Sequence, residues 1–141
     1  MNYNEAMDFC QTWLSAWVGG KPAAKGLLEY YHPEAILCDP NHPEPVKGHK
    51  ELLPFFESML EIYPDWEFEI KNLYPLENGF VFIYNTDLKF GGKVFKNFRG
   101  LDVIVMKDNK IIEHQGFYDR TELALHTLGK TIDDLPTPTA D

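Results

Sequence analysis

Cysteine is scarce in this 141-residue chain: Cys10 and Cys38 are its only two. Neither belongs to a C-x-x-C pair, and two cysteines make no disulfide framework, so a reducing, cytoplasmic setting is expected. Positive charge is short as well. Thirteen Lys and Arg stand against 22 Asp and Glu, a formal net charge of -9, and the basic residues are scattered. Nucleic acid and anionic membrane both need a basic footprint, so neither is expected as a partner. No stretch approaches the ~18 consecutive apolar residues of a membrane span. Residues 1–6 carry neither the basic nor the apolar region of a secretory leader. Glycine-rich phosphate loops and nucleophile elbows are missing; Gly19-Gly20 and Gly91-Gly92 read as a helix end and a hairpin. His32, Asp39, His42 and His49 crowd one segment, but no two are spaced as a helical zinc pair, and Pro33, Pro43 and Pro45 make it a loop. Neither a metal nor a cofactor is expected.

What is present is hydrophobic periodicity. Ala6, Cys10, Trp13 and Trp17 recur at helical spacing over residues 5–18, and Gly19-Gly20 ends that helix. Pro22 suits the first turn of a second, short helix reaching Tyr31. A short apolar strand, 34–39, follows. Leu52, Leu53, Phe55, Phe56, Met59 and Leu60 then mark a third helix, with Pro54 predicting a kink or a start near that residue. From Asp65 the period changes to two, as Trp66, Phe68 and Ile70 alternate with charged residues. Turn signals at Glu77-Asn78-Gly79, Gly91-Gly92 and Asp108-Asn109 separate strands of about 79–90, 93–107 and 110–119. A short helix, 122–128, closes the pattern. The length suits one domain, residues 1–132, and Pro136 and Pro138 predict a disordered tail over 133–141. Phe80, Val81, Phe82, Ile83 and Tyr84, then Leu101, Val103, Ile104 and Val105, make some strand segments apolar on both faces. Helices cover one face of a sheet, so a homodimer through the other is expected.

Asp39 ends the strand at 34–39, and Pro40 stops its ladder. A carboxylate delivered by a strand end into apolar surroundings is one way to build a general base. Asp-Pro is equally the signature of a plain turn. Asp102 lies mid-strand between Gly100-Leu101 and Val103-Ile104, where an unpaired carboxylate is costly. It either reaches a pocket or pairs with a neighbour such as Arg99. On the last strand, period two places Ile112, His114, Gly116 and Tyr118 on one face. His114 and Tyr118 then either project into a cavity, with Gly116 leaving room for a ligand, or pack as hydrogen-bonded core.

Several of these segments resemble a known superfamily. Residues 33–60, from Pro33-Glu34-Ala35-Ile36-Leu37-Cys38-Asp39-Pro40 through Gly48 to Phe55-Phe56 and Leu60, resemble ketosteroid isomerases and SnoaL-like polyketide cyclases. Gly100-Leu101-Asp102-Val103 and Asn109-Lys110-Ile111-Ile112-Glu113-His114 resemble their last hairpin, and Leu128-Gly129 after Asp119 is similar to the end of SnoaL-like chains. The resemblance covers roughly residues 5–129. It implies an α+β fold of the nuclear transport factor 2-like superfamily: cone-shaped, with three N-terminal helices packed on a curved antiparallel sheet.

On that resemblance Asp39 matches the isomerase general base, and Asp102 matches the second aspartate, which hydrogen-bonds the oxyanion. Trp13 falls where those isomerases carry a tyrosine; its indole donates one hydrogen bond, but its place in the apolar stripe suits core equally. SnoaL-like cyclases often carry an aspartate two residues after the last strand's histidine, where this chain has Gly116. Limonene-epoxide hydrolases carry an Arg-x-Asp pair, and Gly100 stands in it here, with Arg99 one place out of register. Asp119 could replace the missing aspartate only through a bulge.

Two readings follow. One is a cofactor-independent acid–base isomerase or cyclase acting on a small apolar carbonyl compound, with Asp39 and Asp102 catalytic and Trp13, Phe56, His114 and Tyr118 lining the pocket. The other is a non-catalytic ligand-binding or dimerisation module.

Overall fold

The computed structural model describes residues 1–138. Helix α1 (Tyr3–Ser15) starts at a capping box: Asn2 accepts from the Glu5 N–H, and the Glu5 carboxylate accepts from the Asn2 N–H. It buries Ala6, Cys10, Trp13 and Leu14. Gly19 and Gly20, with φ of 115° and 73°, turn the chain into a 3-10 turn (Lys21–Ala23) and helix α2 (Ala24–Leu28). Strand β1 (Tyr31–Cys38) and the two-residue β2 (Val46–Lys47) precede helix α3 (Gly48–Ile62). That helix begins at Gly48 and runs through Pro54. Pro54, which is exposed, has no N–H to donate to the Lys50 carbonyl. Strands β3 (Glu69–Leu76), β4 (Gly79–Phe90), β5 (Lys93–Lys107) and β6 (Lys110–Tyr118) follow, then helix α4 (Thr121–Thr127). A 3-10 turn at Ile132–Asp134 occupies the start of the expected disordered tail, whose residues 139–141 lie outside the described residues.

The sheet corrects one expectation. Its order is β2-β1-β6-β5-β4-β3; β3 to β6 are antiparallel neighbours in sequence order, but β1 lies parallel to β6. The fold is therefore α+β with four α-helices and a mixed, open sheet, neither the antiparallel sheet expected nor strongly curled into a cone. The reason is local. Tight-turn signals fix only hairpin neighbours, whereas β1 is placed by long-range pairing that leaves no short-range trace. Between Tyr31 and Ile36 the β1–β6 register shifts, and Pro33, which has no N–H, sits in that gap.

The main core fills the space between the helices and one sheet face, with Trp13, Tyr31, Phe56, Phe80 and Phe82 fully buried. A satellite cluster, Leu88, Phe95 and Leu123, pins α4 to the β4–β5 hairpin. No described helix is long and apolar enough to cross a membrane. On the opposite sheet face the ladder aligns Tyr74 with Val81, Val81 with Val103, Ile83 with Leu101, and Leu101 with Phe117. Phe117 is 52% exposed there.

Candidate functional site

A cavity of about 850 Å³ opens between the sheet and helices α1, α3 and α4. Asp39, Asp102, Trp13, His114 and Tyr118 all border it; Phe56 does not. Phe56 is buried behind the wall, its ring centroid 4.9 Å from that of Tyr31.

Asp102 forms the inner polar point. It is 8% exposed and lies directly across the ladder from Gly116. Its partner is His114, not Arg99, which is exposed. Oδ2 lies 2.8 Å from His114 Nε2, and His114 Nδ1 lies 2.9 Å from the Tyr31 hydroxyl. His114 is 6% exposed and Tyr31 fully buried, so this line of three polar groups is satisfied from within. Oδ1 of Asp102 has no hydrogen-bond partner among the described residues. A Cβ placed on Gly116 would stand 3.4 Å from it. Glycine at 116 therefore leaves the carboxylate open to the cavity.

Asp39 forms a second polar point, nearer the mouth and half-buried. Its Oδ1 accepts the Asn41 N–H at 2.8 Å, the turn its Asp-Pro sequence predicts, and the Tyr118 hydroxyl at 3.0 Å. Asn41 Nδ2 donates to the same hydroxyl at 2.7 Å. Burial, and then the Asp39 charge, push the Tyr118 phenol far above its ordinary range, so it keeps its proton. Burial likewise raises Tyr63, with a smaller contribution from Asp39. Tyr118 lies two residues beyond Gly116 on one strand face, a rise of about 7 Å. The two carboxylates thus serve neighbouring points of one wall, with no hydrogen bond between them.

The rest of the wall is largely aromatic. The Trp66 and Phe68 rings are stacked at an interplanar angle of 4°, and Trp17 packs edge-on to both. The Trp13 and His114 rings meet at a T-shaped angle of 79°, with centroids 5.2 Å apart. On β6 a bulge opposite Val105 and Met106 shifts the phase, so Ile111 and not Ile112 is the buried residue upstream of His114. Asp119 turns away to bond the Thr121 N–H and hydroxyl at the start of α4. The crowded histidines are also accounted for: His49 bonds the Tyr31 carbonyl, His42 the Glu44 carbonyl, and His32 lies 3.7 Å from Asp108. No three potential metal ligands cluster among the described residues. Tyr31 and Asn41 carried no sequence signal, because their partners lie about eighty positions away.

Comparisons with known proteins agree on the fold. The profile of the SnoaL-like domain matches residues 10–114. No curated protein matches the sequence. A SnoaL-like protein of unknown function from Burkholderia thailandensis is 16% identical, with 84% of this chain and 98% of that one covered at a TM-score of 0.68. A candidate SnoaL-like polyketide cyclase from Shewanella putrefaciens is 15% identical, covering 89% and 87% at 0.71. A protein with a ketosteroid isomerase-like fold from Catenulispora acidiphila, solved with trimethylamine, is 15% identical, covering 91% and 97% at 0.68. The chain belongs to the SnoaL-like domain family.

Proposed function

We propose that this protein is a cofactor-independent acid–base enzyme acting on a small apolar carbonyl compound, with Asp102 as the base. The observation that carries this reading is a buried carboxylate with one oxygen tied to His114 and the other free beside Gly116 at an aromatic cavity. In the proposed step Asp102 Oδ1 takes a proton from the carbon next to the carbonyl, and the C–H pair moves into the carbonyl to give an enolate. Returning that proton to another carbon gives isomerisation. Attack of the enolate carbon on a second carbonyl gives ring closure, and loss of a β-hydroxyl as water gives dehydration. In the Asp39–Tyr118–Asn41 cluster the Tyr118 proton is committed to Asp39, so the donor left to hold a substrate oxygen is the second Nδ2–H of Asn41. Cyclic ketones and enols incubated with the protein in D2O should gain deuterium at the α-carbon faster than in buffer alone, as followed by NMR. A broad panel showing no acceleration would leave the binding module as the better reading.

We further propose that a second copy covers the apolar sheet face around Leu101, Val103 and Phe117. The alignment of these residues across β4, β5 and β6 makes a continuous strip that no described helix packs against. Two-fold pairing would bury that strip against itself. Leu101→Lys should convert a light-scattering dimer to a monomer, because each interface would then contain two unpaired ammonium groups. A wild-type mass that stays monomeric up to high concentration would sink this idea.

A further inference from the structure

We infer that Tyr31 is a positioning residue for the Asp102 carboxylate, acting through the tautomer of His114. The inference rests on the reading of Asp102 as base and adds a residue to it. Tyr31 opens β1 and does not itself border the cavity; its hydroxyl lies 2.9 Å from Nδ1 of His114, which does. It is fully buried, and burial holds its phenol well above the ordinary range, so the hydroxyl keeps its proton and must donate it. Among the described residues the only hydrogen-bond partner of that hydroxyl is His114 Nδ1, so the phenol proton goes there. Nδ1 is then the acceptor and Nε2 carries the ring proton, which it donates to Asp102 Oδ2 at 2.8 Å.

Among the described residues, Tyr31 and Asp102 are the side-chain partners of His114. Cys10 of α1 is buried, and burial, with the Asp102 charge, pushes its thiol up to about 12. Tyr84 of β4 is likewise raised by burial and by Asp102. Both stay neutral. One phenol on β1 therefore orients an imidazole on β6, which fixes one oxygen of a carboxylate on β5 and leaves the other at the cavity. The arrangement parallels the way a second group sets the tautomer of a catalytic histidine, except that here the chain ends on the carboxylate.

The test is Tyr31→Phe, which removes one oxygen and keeps the ring packed against Phe56 and Trp13. In the wild type at pH 8, long-range ¹H–¹⁵N spectra should show His114 as the Nε2–H tautomer, with Nδ1 at the shift of a hydrogen-bonded imine nitrogen. In the variant Nδ1 should lose its hydrogen-bonded shift, and the Nδ1–H tautomer should appear beside the Nε2–H form because the phenol no longer selects between them. Deuterium exchange into a turned-over ketone should fall about 10- to 100-fold in kcat with KM unchanged, the signature of a displaced reacting group. A proton on Nδ1 in the wild type, or no change in its shift in the variant, would overturn the inference without any substrate. The expected NMR change with an unaltered kcat would also overturn it, while leaving Asp102 as base. Failure of that underlying reading would show separately, as Asp102→Asn retaining full exchange activity.

Discussion

Asp102→Asn is expected to slow α-proton exchange by about 10²- to 10⁴-fold, the usual contribution of a positioned acid–base group. Asparagine keeps the volume and still offers an oxygen to the His114 Nε2–H, so the buried hydrogen bond survives. What it loses is an atom able to accept a proton. The Gly116 side leaves space for the amide as it does for the carboxylate, with a Cβ there meeting Asp102 Oδ1 no closer than 3.4 Å. The variant should therefore melt near the wild type and bind the same ketones, while kcat collapses. Exchange measured by NMR under saturating ketone separates the two. An unaltered rate would remove Asp102 from the chemistry and return the cavity to a binding role.

Trp13→Ala should cost about 3–5 kcal/mol of folding stability, the range for removing a buried large aromatic. Trp13 is 1% exposed, and its ring meets Trp17, Tyr31, Phe82 and His114 edge-on, at centroid distances from 5.2 to 6.4 Å. Few neighbours can collapse into the space, because each is held by a different part of the fold: the turn after α1, β1, β4 and β6. The cost should be read from urea unfolding, as a lower midpoint with a similar slope. Trp13→Phe should recover most of it by refilling the same volume with a ring. A loss below about 1 kcal/mol for alanine would mean that this indole is a replaceable cavity lining and not the joint of the core.

The helices, the hairpins and four of the polar residues that border the cavity, Asp39, Asp102, His114 and Tyr118, stand out in the sequence because each has a local cause. Asn2 and Glu5 cap α1, and Asp108 and Asn109, with φ of 53° and 60°, form the two-residue turn between β5 and β6. Asp102 stood out because an acidic residue amid apolar neighbours on a strand needs a partner. Which partner was not legible. Arg99 is nearer in sequence, but its exposed position removes it, and His114 arrives from the adjacent strand through register alone. Phe56 sits on the apolar stripe that suggested a pocket residue, yet it packs behind the wall. Periodicity tells inside from outside and does not divide core from cavity. The mixed sheet escaped for the same reason, since the β1–β6 pairing joins residues remote in the chain.

That pairing has a consequence for how the protein is made. Tyr31 and Asp39 sit at opposite ends of β1, while His114 and Tyr118, their partners, belong to β6, 83 and 79 residues later. The helices α1 to α3 are translated early, and until the last long strand emerges β1 has only the two-residue β2 beside it, paired through Ile36 and Leu37, with its other edge open. A parallel contact of that span is slow to close, because the intervening chain must lose its freedom before the pairing rewards it. Docking of β1 should thus be the late step of folding, and the cavity its product. Nascent chains ending before β6 should be recognised by chaperones that hold apolar strands, and release should coincide with the first appearance of the Tyr31–His114 contact.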